Sequence, residues 1–79
     1  MTNDIAIKIK NIMAIVFQIS VESIHDDTSS ETLKEWDSIN HLNLIVALEE
    51  EFSMEFSEDE ILIMLNVEAI KTVVLKNIK

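Results

Sequence analysis

The absence of two residue types constrains this chain more than any motif does, because its 79 residues include no glycine and no proline. Tight turns that need a positive φ must therefore use Asn or Asp, or be avoided. Since β-hairpins depend on such turns, this composition favours helices joined by irregular loops. Hydrophobic residues make up 48% of the chain, so we expect a packed core rather than disorder.

The chain also lacks cysteine, which excludes disulfides, thiolate metal sites and a cysteine nucleophile. The first ten residues alternate polar and apolar side chains and have no apolar stretch typical of a secretory signal. No apolar run approaches the ~20 residues that a membrane helix needs. We therefore expect a cytoplasmic protein with no membrane insertion.

The formal net charge is −9, and the acids are concentrated in the middle of the chain. Residues 22–60 contain thirteen acids and one base, Lys34, which gives this segment a net charge of −12. Such a segment repels phosphates, so a nucleic-acid partner is not expected. A basic protein surface would be attracted to it, and salt would weaken that attraction.

Apolar periodicity predicts four helices and a long polar loop. The predicted helices cover residues 3–17, 37 or 38 to 52 or 53, 58–65 and 66 onward, and the loop covers 18–36. Thr2 or Asn3 can cap the first helix, and Asn66 can cap the last. The run ILIML in the third helix would also suit a strand, but the preceding SEDE is typical of a helix N-terminus. We therefore predict an all-α fold, a small four-helix bundle with a long first loop and a short third helix, in a single domain over residues 1–79.

We expect each long helix to bury one apolar stripe in a common core. The stripes are Ile5, Ile9, Ile12 and Val16, with Met13 and Phe17 beside them, in the first helix; Leu44, Ile45, Leu48 and Phe52 in the second; and Val67, Ile70, Val74 and Ile78 in the last. The apolar residues of the long loop should hold it against this core, and they are Val21, Ile24 and Leu33.

The second predicted helix carries another apolar arc, roughly opposite the first at 100° per residue. Ile39, Leu42 and Val46 form this arc, and Glu49 and Glu50 flank it. An exposed apolar strip rimmed by acids is typical of a partner-binding surface. A neighbouring helix or the long loop could instead cover the strip, and the helix pattern alone does not decide between the two.

Asp37 and Ser38 stand where this helix begins. Asp37 suits the N-cap position, which makes Ser38 the first helical residue. The Ser38 hydroxyl then lies near unpaired backbone N–H groups at the positive end of the helix dipole, where a phosphate is stabilised by about 0.3–1 kcal/mol. Because Asp-Ser at a helix start is most often only a cap, the pair alone does not establish a site.

The longer segment DSINHLNLIVALEEEF, residues 37–52, resembles the serine-bearing helix of acyl carrier proteins. Asp37, Ser38 and the Ala-Leu-Glu-Glu-Glu-Phe of residues 47–52 match that family directly, and the resemblance covers essentially the whole chain. It implies that Ser38, with Asp37 beside it, carries a covalent 4′-phosphopantetheine whose thiol holds acyl groups as thioesters. It also implies a monomeric carrier that is not an enzyme and has no catalytic residues.

The resemblance implies two kinds of partner: a phosphopantetheinyl transferase, and acyl-loading and acyl-transferring enzymes with basic surfaces. The expected partner-binding residues are Ile39, Leu42, Val46, Glu49 and Glu50. In the third helix, Ile61, Leu62 and Met64 would help line a cleft for an acyl chain. Met64 suits ordinary core packing equally well.

Four residues depart from the pattern of fatty-acid carriers. Glu35 and Trp36 replace the usual small pair before Asp-Ser, and Asn40 and Asn43 replace acids. These changes favour a specialised pathway, such as secondary metabolism or surface-polysaccharide synthesis, over housekeeping fatty acid biosynthesis. We expect Trp36 to anchor the loop against the core, and His41 to be a hydrogen-bonded structural residue rather than a pH switch.

Two other interpretations stay open. An aminoacyl or peptidyl carrier would have the same features, because the loading enzyme selects the cargo. An acidic helical adaptor with no prosthetic group would use the apolar strip without Ser38. A calcium loop is disfavoured, because the twelve residues DDTSSETLKEWD lack glycine at the sixth position, and we predict no metal site.

Overall fold

The computed structural model describes residues 2–78, which form a small bundle of four α-helices. These are α1 (Thr2–Phe17), α2 (Ser38–Phe52), α3 (Glu58–Ile63) and α4 (Val67–Asn77), with a short 3₁₀ helix (Val21–Ser23) in the long first loop. The prediction of an all-α bundle is confirmed. The main difference is that α3 ends two residues earlier than predicted, because Met64 turns into the core.

Polar caps define the starts of the last three helices. The side chains of Asp37, Ser57 and Asn66 each accept a hydrogen bond from the backbone N–H three residues later. Ser57 and Glu60 form a reciprocal capping box at the start of α3. Asp37 and Asn66 are the caps that the sequence predicted, whereas the predicted cap of α1, Thr2 or Asn3, falls on side chains outside the described part of the structure.

Two helices end in the left-handed region without glycine. Gln18 follows α1 with φ 58° and Ser53 follows α2 with φ 52°. Each helix ends with a backbone hydrogen bond between residues five apart. One runs from Ile19 N–H to the Ala14 carbonyl and the other from Met54 N–H to the Glu49 carbonyl, both 3.1 Å. The expectation that Asn or Asp would supply positive φ is therefore wrong for the described residues.

The core lies where α1, α2 and α4 meet. Its helical members with little or no exposure are Ile9, Met13 and Phe17 in α1, Leu44, Ile45 and Leu48 in α2, and Val67, Ile70, Val73 and Val74 in α4. Each such side chain stabilises the fold by roughly 1.5–3 kcal/mol before its lost conformational entropy is counted. The predicted stripes are confirmed at most positions, but Ile5, Ile12, Val16 and Phe52 are only half-buried. Ile78 is wrong as a core residue, because α4 ends at Asn77 and Ile78 is exposed.

The long first loop is held by both apolar and polar contacts. Ile24 is buried and Leu33 half-buried, as predicted, whereas Val21 lies exposed on the 3₁₀ helix. Ser29 and Asn66 form an isolated β-bridge that joins the loop to the linker between α3 and α4. Its bonds run from Ser30 N–H to the Leu65 carbonyl (2.9 Å) and from Val67 N–H to the Thr28 carbonyl (3.0 Å).

Ion pairs tie the same loop to two helices. The Asp26 carboxylate lies 3.1 Å from the Lys10 ammonium of α1 and 3.6 Å from that of Lys71 in α4. The hydrogen bond from Lys10 holds the pKa of Asp26 below its usual value, and the positive charges of Lys10 and Lys71 add to the effect. Both pairs are near the surface, so they position the loop more than they stabilise the fold.

Helix α3 is the most lightly held element. None of its own six residues is fully buried. The buried side chains that anchor it stand just outside it, Phe56 before its start and Met64 after its end. Because burial is what holds most short helices in place, the position of α3 depends on its two ends and on its contact with α2.

Candidate functional site

Ser38 is the first residue of α2 and is exposed. Asp37 makes the capping contact instead, since its Oδ1 accepts a 2.8 Å hydrogen bond from the backbone N–H of Asn40. The Asp37 carbonyl accepts another 2.8 Å bond from the backbone N–H of His41. The cap therefore does not use the Ser38 hydroxyl, which stands at the positive end of the helix dipole.

Two open hollows meet at Ser38. One lies toward the long loop and is lined by Ser30, Trp36, Asp37, Ser38, His41 and Leu65. The other lies between α2 and α3 and is lined by Ser38, His41, Leu42, Ile61, Leu62 and Leu65. The first hollow offers several polar groups and the second is mainly apolar. Ser38 therefore has access to both kinds of surface.

A chain of hydrogen bonds joins three residues that line these hollows. The Trp36 indole N–H donates to Nδ1 of His41 at 3.0 Å, and Nε2 of His41 lies 2.9 Å from the Ile61 carbonyl oxygen. Since the indole nitrogen can only donate, Nδ1 must accept, and the ring proton lies on Nε2 and is donated to Ile61. His41 is thus a hydrogen-bonded structural residue, as the sequence predicted.

Trp36 anchors the loop against the core, which confirms its predicted role. It is 3% exposed, and its ring centroid lies 5.3 Å from that of Phe17. A small residue at this position, as in the family pattern, could not fill that space. One of the departures from the pattern therefore has a packing reason.

The departures at Asn40 and Asn43 also have a structural account. The Asn40 amide donates a 2.8 Å hydrogen bond to the Glu35 carbonyl, which fixes the end of the loop beside Ser38. The Asn43 amide donates to Oδ1 of Asn40 at 3.3 Å. An ionised Asp or Glu at residue 40 has no N–H to donate, so the acid of the family pattern could not make this contact.

The apolar strip on α2 is open to solvent. Ile39, Leu42 and Val46 are 73%, 59% and 54% exposed. Of the two alternatives left open by the sequence, a covered or an exposed strip, the structure shows the exposed one. Three neighbouring side chains of this size outside the core make an apolar patch beside Ser38.

The three glutamates at the end of α2 have different environments. The Glu49 carboxylate accepts a 2.9 Å hydrogen bond from the Phe56 N–H and so fastens the loop that follows α2. Glu51 lies 3.6 Å from the Lys8 ammonium of α1. Glu50 is exposed and borders a groove between α1 and α2. Of the two predicted partner-binding acids, only Glu49 has such a contact on its carboxylate among residues 2–78.

Of the three residues predicted to line a cleft, two do so and one belongs to the core. Ile61 and Leu62 face the hollow between α2 and α3, whereas Met64 is fully buried. Met64 therefore has the packing role that its sequence context also allowed. Leu65 lines both hollows and was missed by sequence reasoning, although it ends the apolar run ILIML.

Residues 2–78 show neither a metal-binding cluster nor a membrane-spanning helix. No group of three or more His, Asp or Glu side chains in this part of the chain is arranged to hold a metal ion. None of the helices described is long and apolar enough to cross a membrane.

The chain is similar to acyl carrier proteins in both sequence and structure. No protein-family model matches the chain. An acyl carrier protein of Buchnera aphidicola subsp. Schizaphis graminum (strain Sg) is 36% identical over 58 residues, 73% of each chain. The solution structure of a holo acyl carrier protein from Geobacter metallireducens superposes with a TM-score of 0.80 at 30% identity, covering 90% of this chain and 82% of that one. The chain therefore belongs to the acyl carrier protein family, whose members are carriers and not enzymes.

Proposed function

We propose that Ser38 is the attachment site of a covalent 4′-phosphopantetheine and that the protein carries acyl groups on it. The observation that carries this proposal is the position of Ser38, which is exposed at the positive end of α2. Its hydroxyl is not needed for the cap, because Asp37 makes that contact. Attachment would join Ser38 Oγ to the phosphorus next to the pantetheine in coenzyme A, break the pyrophosphate bond and release adenosine 3′,5′-bisphosphate.

The residues around Ser38 fit such a group. A phosphodiester anion at this position would lie near the unpaired N–H groups of the first turn of α2. The hollow with Ser30, Trp36 and Asp37 suits the polar arm, and the hollow with Leu42 and Leu62 suits an apolar cargo. The thiol of the bound group would hold the acyl group as a thioester, which the protein alone cannot do because it has no cysteine.

Intact mass tests the attachment. The protein is incubated with coenzyme A and a broad-specificity phosphopantetheinyl transferase, alongside Ser38→Ala and the matched control Ser23→Ala, an exposed serine of the 3₁₀ helix. We expect the wild type and Ser23→Ala to gain one phosphopantetheine and Ser38→Ala to gain none. A wild type that stays unmodified with several transferases would instead favour an adaptor without a prosthetic group.

We further propose that partner enzymes dock on the apolar strip and the adjacent acids. Ile39, Leu42 and Val46 are exposed and lie on the helix that begins with Ser38, so a partner that covers them also reaches the attachment site. Glu50 would meet a basic group of the partner. Glu49 stays a predicted partner-binding residue, but one of its carboxylate oxygens already binds the Phe56 N–H.

A pair of charge reversals tests this docking face. Glu50→Lys and Glu22→Lys change the net charge equally, and both residues are exposed, but only Glu50 lies on α2. We expect Glu50→Lys to slow transfer to Ser38 about 10-fold or more at low salt, with the difference shrinking as salt screens it. Equal slowing by both variants would mean that net charge, not a docking face, controls the rate.

The pathway is part of the same proposal. We propose that the whole chain acts as one monomeric carrier domain in the cytoplasm, in a specialised pathway rather than housekeeping fatty acid biosynthesis. The support is the set of departures at Trp36, Asn40 and Asn43, which shape the surroundings of Ser38 in a way that the family pattern does not. The intact mass of protein isolated from its own cell, with any acyl group still attached, tests it. A saturated fatty acyl group would contradict it, and an aminoacyl group would assign the protein to the aminoacyl carriers.

A further inference from the structure

His41 lies between Ser38 and the apolar interior. Ser38, His41 and Leu44 follow one another at three-residue intervals along α2, so each is a neighbour of the next on a path that winds from the exposed to the buried face of the helix. Along this line Ser38 is exposed, His41 is half-buried and Leu44 is fully buried. An acyl group that is attached near Ser38 and moves toward the core therefore meets His41 first.

The His41 ring is fixed on both sides. Nδ1 accepts from the Trp36 indole at 3.0 Å, and Nε2 donates to the Ile61 carbonyl at 2.9 Å. Trp36 belongs to the long loop and Ile61 to α3, so the ring joins these two elements across α2. Opening the gap between α2 and α3 would leave the Nε2–H of the half-buried His41 and the Ile61 carbonyl without their partners, which is unfavourable.

The interior behind His41 is already filled. Leu44, Leu48 and Met64 have no exposed surface. Protein cores are packed as densely as organic crystals, so added methylene groups need space that the packing does not offer. His41 lines both hollows beside Ser38, whereas Leu44, Leu48 and Met64 line neither of them.

We propose, on the basis of the attachment to Ser38 proposed above, that the Trp36–His41–Ile61 chain is a barrier that keeps acyl cargo out of the core. His41 is then a specificity-determining residue. A long aliphatic chain would remain in contact with water, which is unfavourable for every methylene left exposed. The carrier therefore serves short acyl groups, whose few carbons fit the apolar hollow between α2 and α3, or polar ones, and neither needs space in the core.

A chain-length series on the modified protein tests this barrier. A broad-specificity transferase attaches acetyl-, hexanoyl- and decanoyl-phosphopantetheine from the corresponding coenzyme A thioesters, and intact mass confirms each product. Thermal unfolding is then measured for the wild type, for His41→Ala and for the control His25→Ala, an exposed loop histidine. The Tm responds to buried methylene groups and does not depend on any partner enzyme.

We expect the Tm of the wild type and of His25→Ala to change by less than about 2 °C from acetyl to decanoyl, because no methylene enters the core. For His41→Ala we expect a rise of at least about 5 °C over the same series, because the chain can then be buried. If His41→Ala does not unfold cooperatively, Trp36→Phe is measured in its place. This substitution removes the hydrogen bond to Nδ1 of His41 but keeps an aromatic ring, and we expect the same rise in Tm.

Each contrary outcome has its own meaning. A wild type that gains no mass from any thioester overturns the proposed attachment and this barrier with it. A modified wild type whose Tm rises with chain length overturns the barrier alone. A flat series in the wild type and in both barrier variants overturns the role given to His41.

Discussion

The Trp36 indole and the His41 imidazole are joined by a 3.0 Å hydrogen bond, and their ring centroids lie 6.2 Å apart with the ring planes 28° from parallel. Trp36 comes from the long loop and His41 from α2. The pair therefore closes the loop onto the helix one turn beyond Ser38. Its contribution to stability can be measured separately from any carrier activity.

Replacing Trp36 by Phe keeps an aromatic ring near Phe17 but removes the indole donor. Because Nδ1 of His41 then loses its partner in a half-buried position, we expect the free energy of unfolding to fall by about 1–3 kcal/mol. Urea denaturation followed by circular dichroism measures this change. His25→Ala, an exposed substitution, should stay within about 0.5 kcal/mol of the wild type. A Trp36→Phe protein as stable as the wild type would mean that the bond contributes nothing.

Asn40 and Asn43 allow a matched test of an amide donor. Asn40→Asp removes the N–H that binds the Glu35 carbonyl at 2.8 Å, so we expect a loss of about 1–3 kcal/mol. Thermal unfolding should show it, at about 4–8 °C per kcal/mol for a domain of this size. Asn43→Asp adds the same charge at an exposed position and loses only a 3.3 Å bond, so its cost should stay below about 0.5 kcal/mol. Equal losses would attribute the effect to charge rather than to the donor.

Ser53 offers a stabilising substitution. Its φ of 52° places a residue with a Cβ atom in the left-handed region, where glycine has no such steric cost. We expect Ser53→Gly to raise the free energy of unfolding by about 0.5–1 kcal/mol, measured by urea denaturation. Ser53→Ala removes the same hydroxyl but keeps Cβ, so it should give no gain. If Gly and Ala have the same effect, the backbone conformation is not the cause.

Glu60 makes the stability depend on pH in the acid range. Its carboxylate accepts hydrogen bonds from the Ser57 N–H at 2.8 Å and the Asn77 amide at 3.2 Å, and lies 3.1 Å from the Lys76 ammonium. These contacts, with the Ser57 N–H first, lower the pKa of Glu60 from 4.5 to about 2. A carboxyl whose pKa is lower in the folded state stabilises the fold above its unfolded pKa. That stabilisation is lost as the pH falls from 4.5 to about 2.

Glu60→Gln tests this dependence, because Gln can still accept the Ser57 N–H but cannot ionise. We expect the wild type to have the higher Tm at pH 7 and the difference to disappear by about pH 2, in a series of thermal melts. Glu55→Gln, at an exposed acid of the loop after α2, is the control and should show a much smaller change with pH. A constant difference between wild type and Glu60→Gln across the series would contradict the assignment.

The features that sequence predicted well are those set within one helix. The apolar repeat placed Leu44, Ile45 and Leu48 in the core because a helix in a small bundle must bury one face. Asp37 and Asn66 marked helix starts because their side chains bind N–H groups three residues away. Such short-range relations can be read from spacing alone.

The features that sequence missed depend on the path of the chain between helices. The contact between Glu49 and the Phe56 N–H follows from the turn at Ser53, which no composition rule indicated. The contact between His41 and the Ile61 carbonyl spans twenty residues. It exists only because α3 is docked beside α2, so spacing on a helical wheel could not reveal it.

The β-bridge between Ser29 and Asn66 makes the long loop and the start of α4 open together. Asn66 caps α4 while its neighbours hold the loop, through Ser30 N–H to Leu65 and Val67 N–H to Thr28. The loop cannot detach without releasing these bonds at the start of α4. The amide hydrogens of Ser30 and Val67 should therefore exchange with solvent through one common opening event, although they belong to distant parts of the chain.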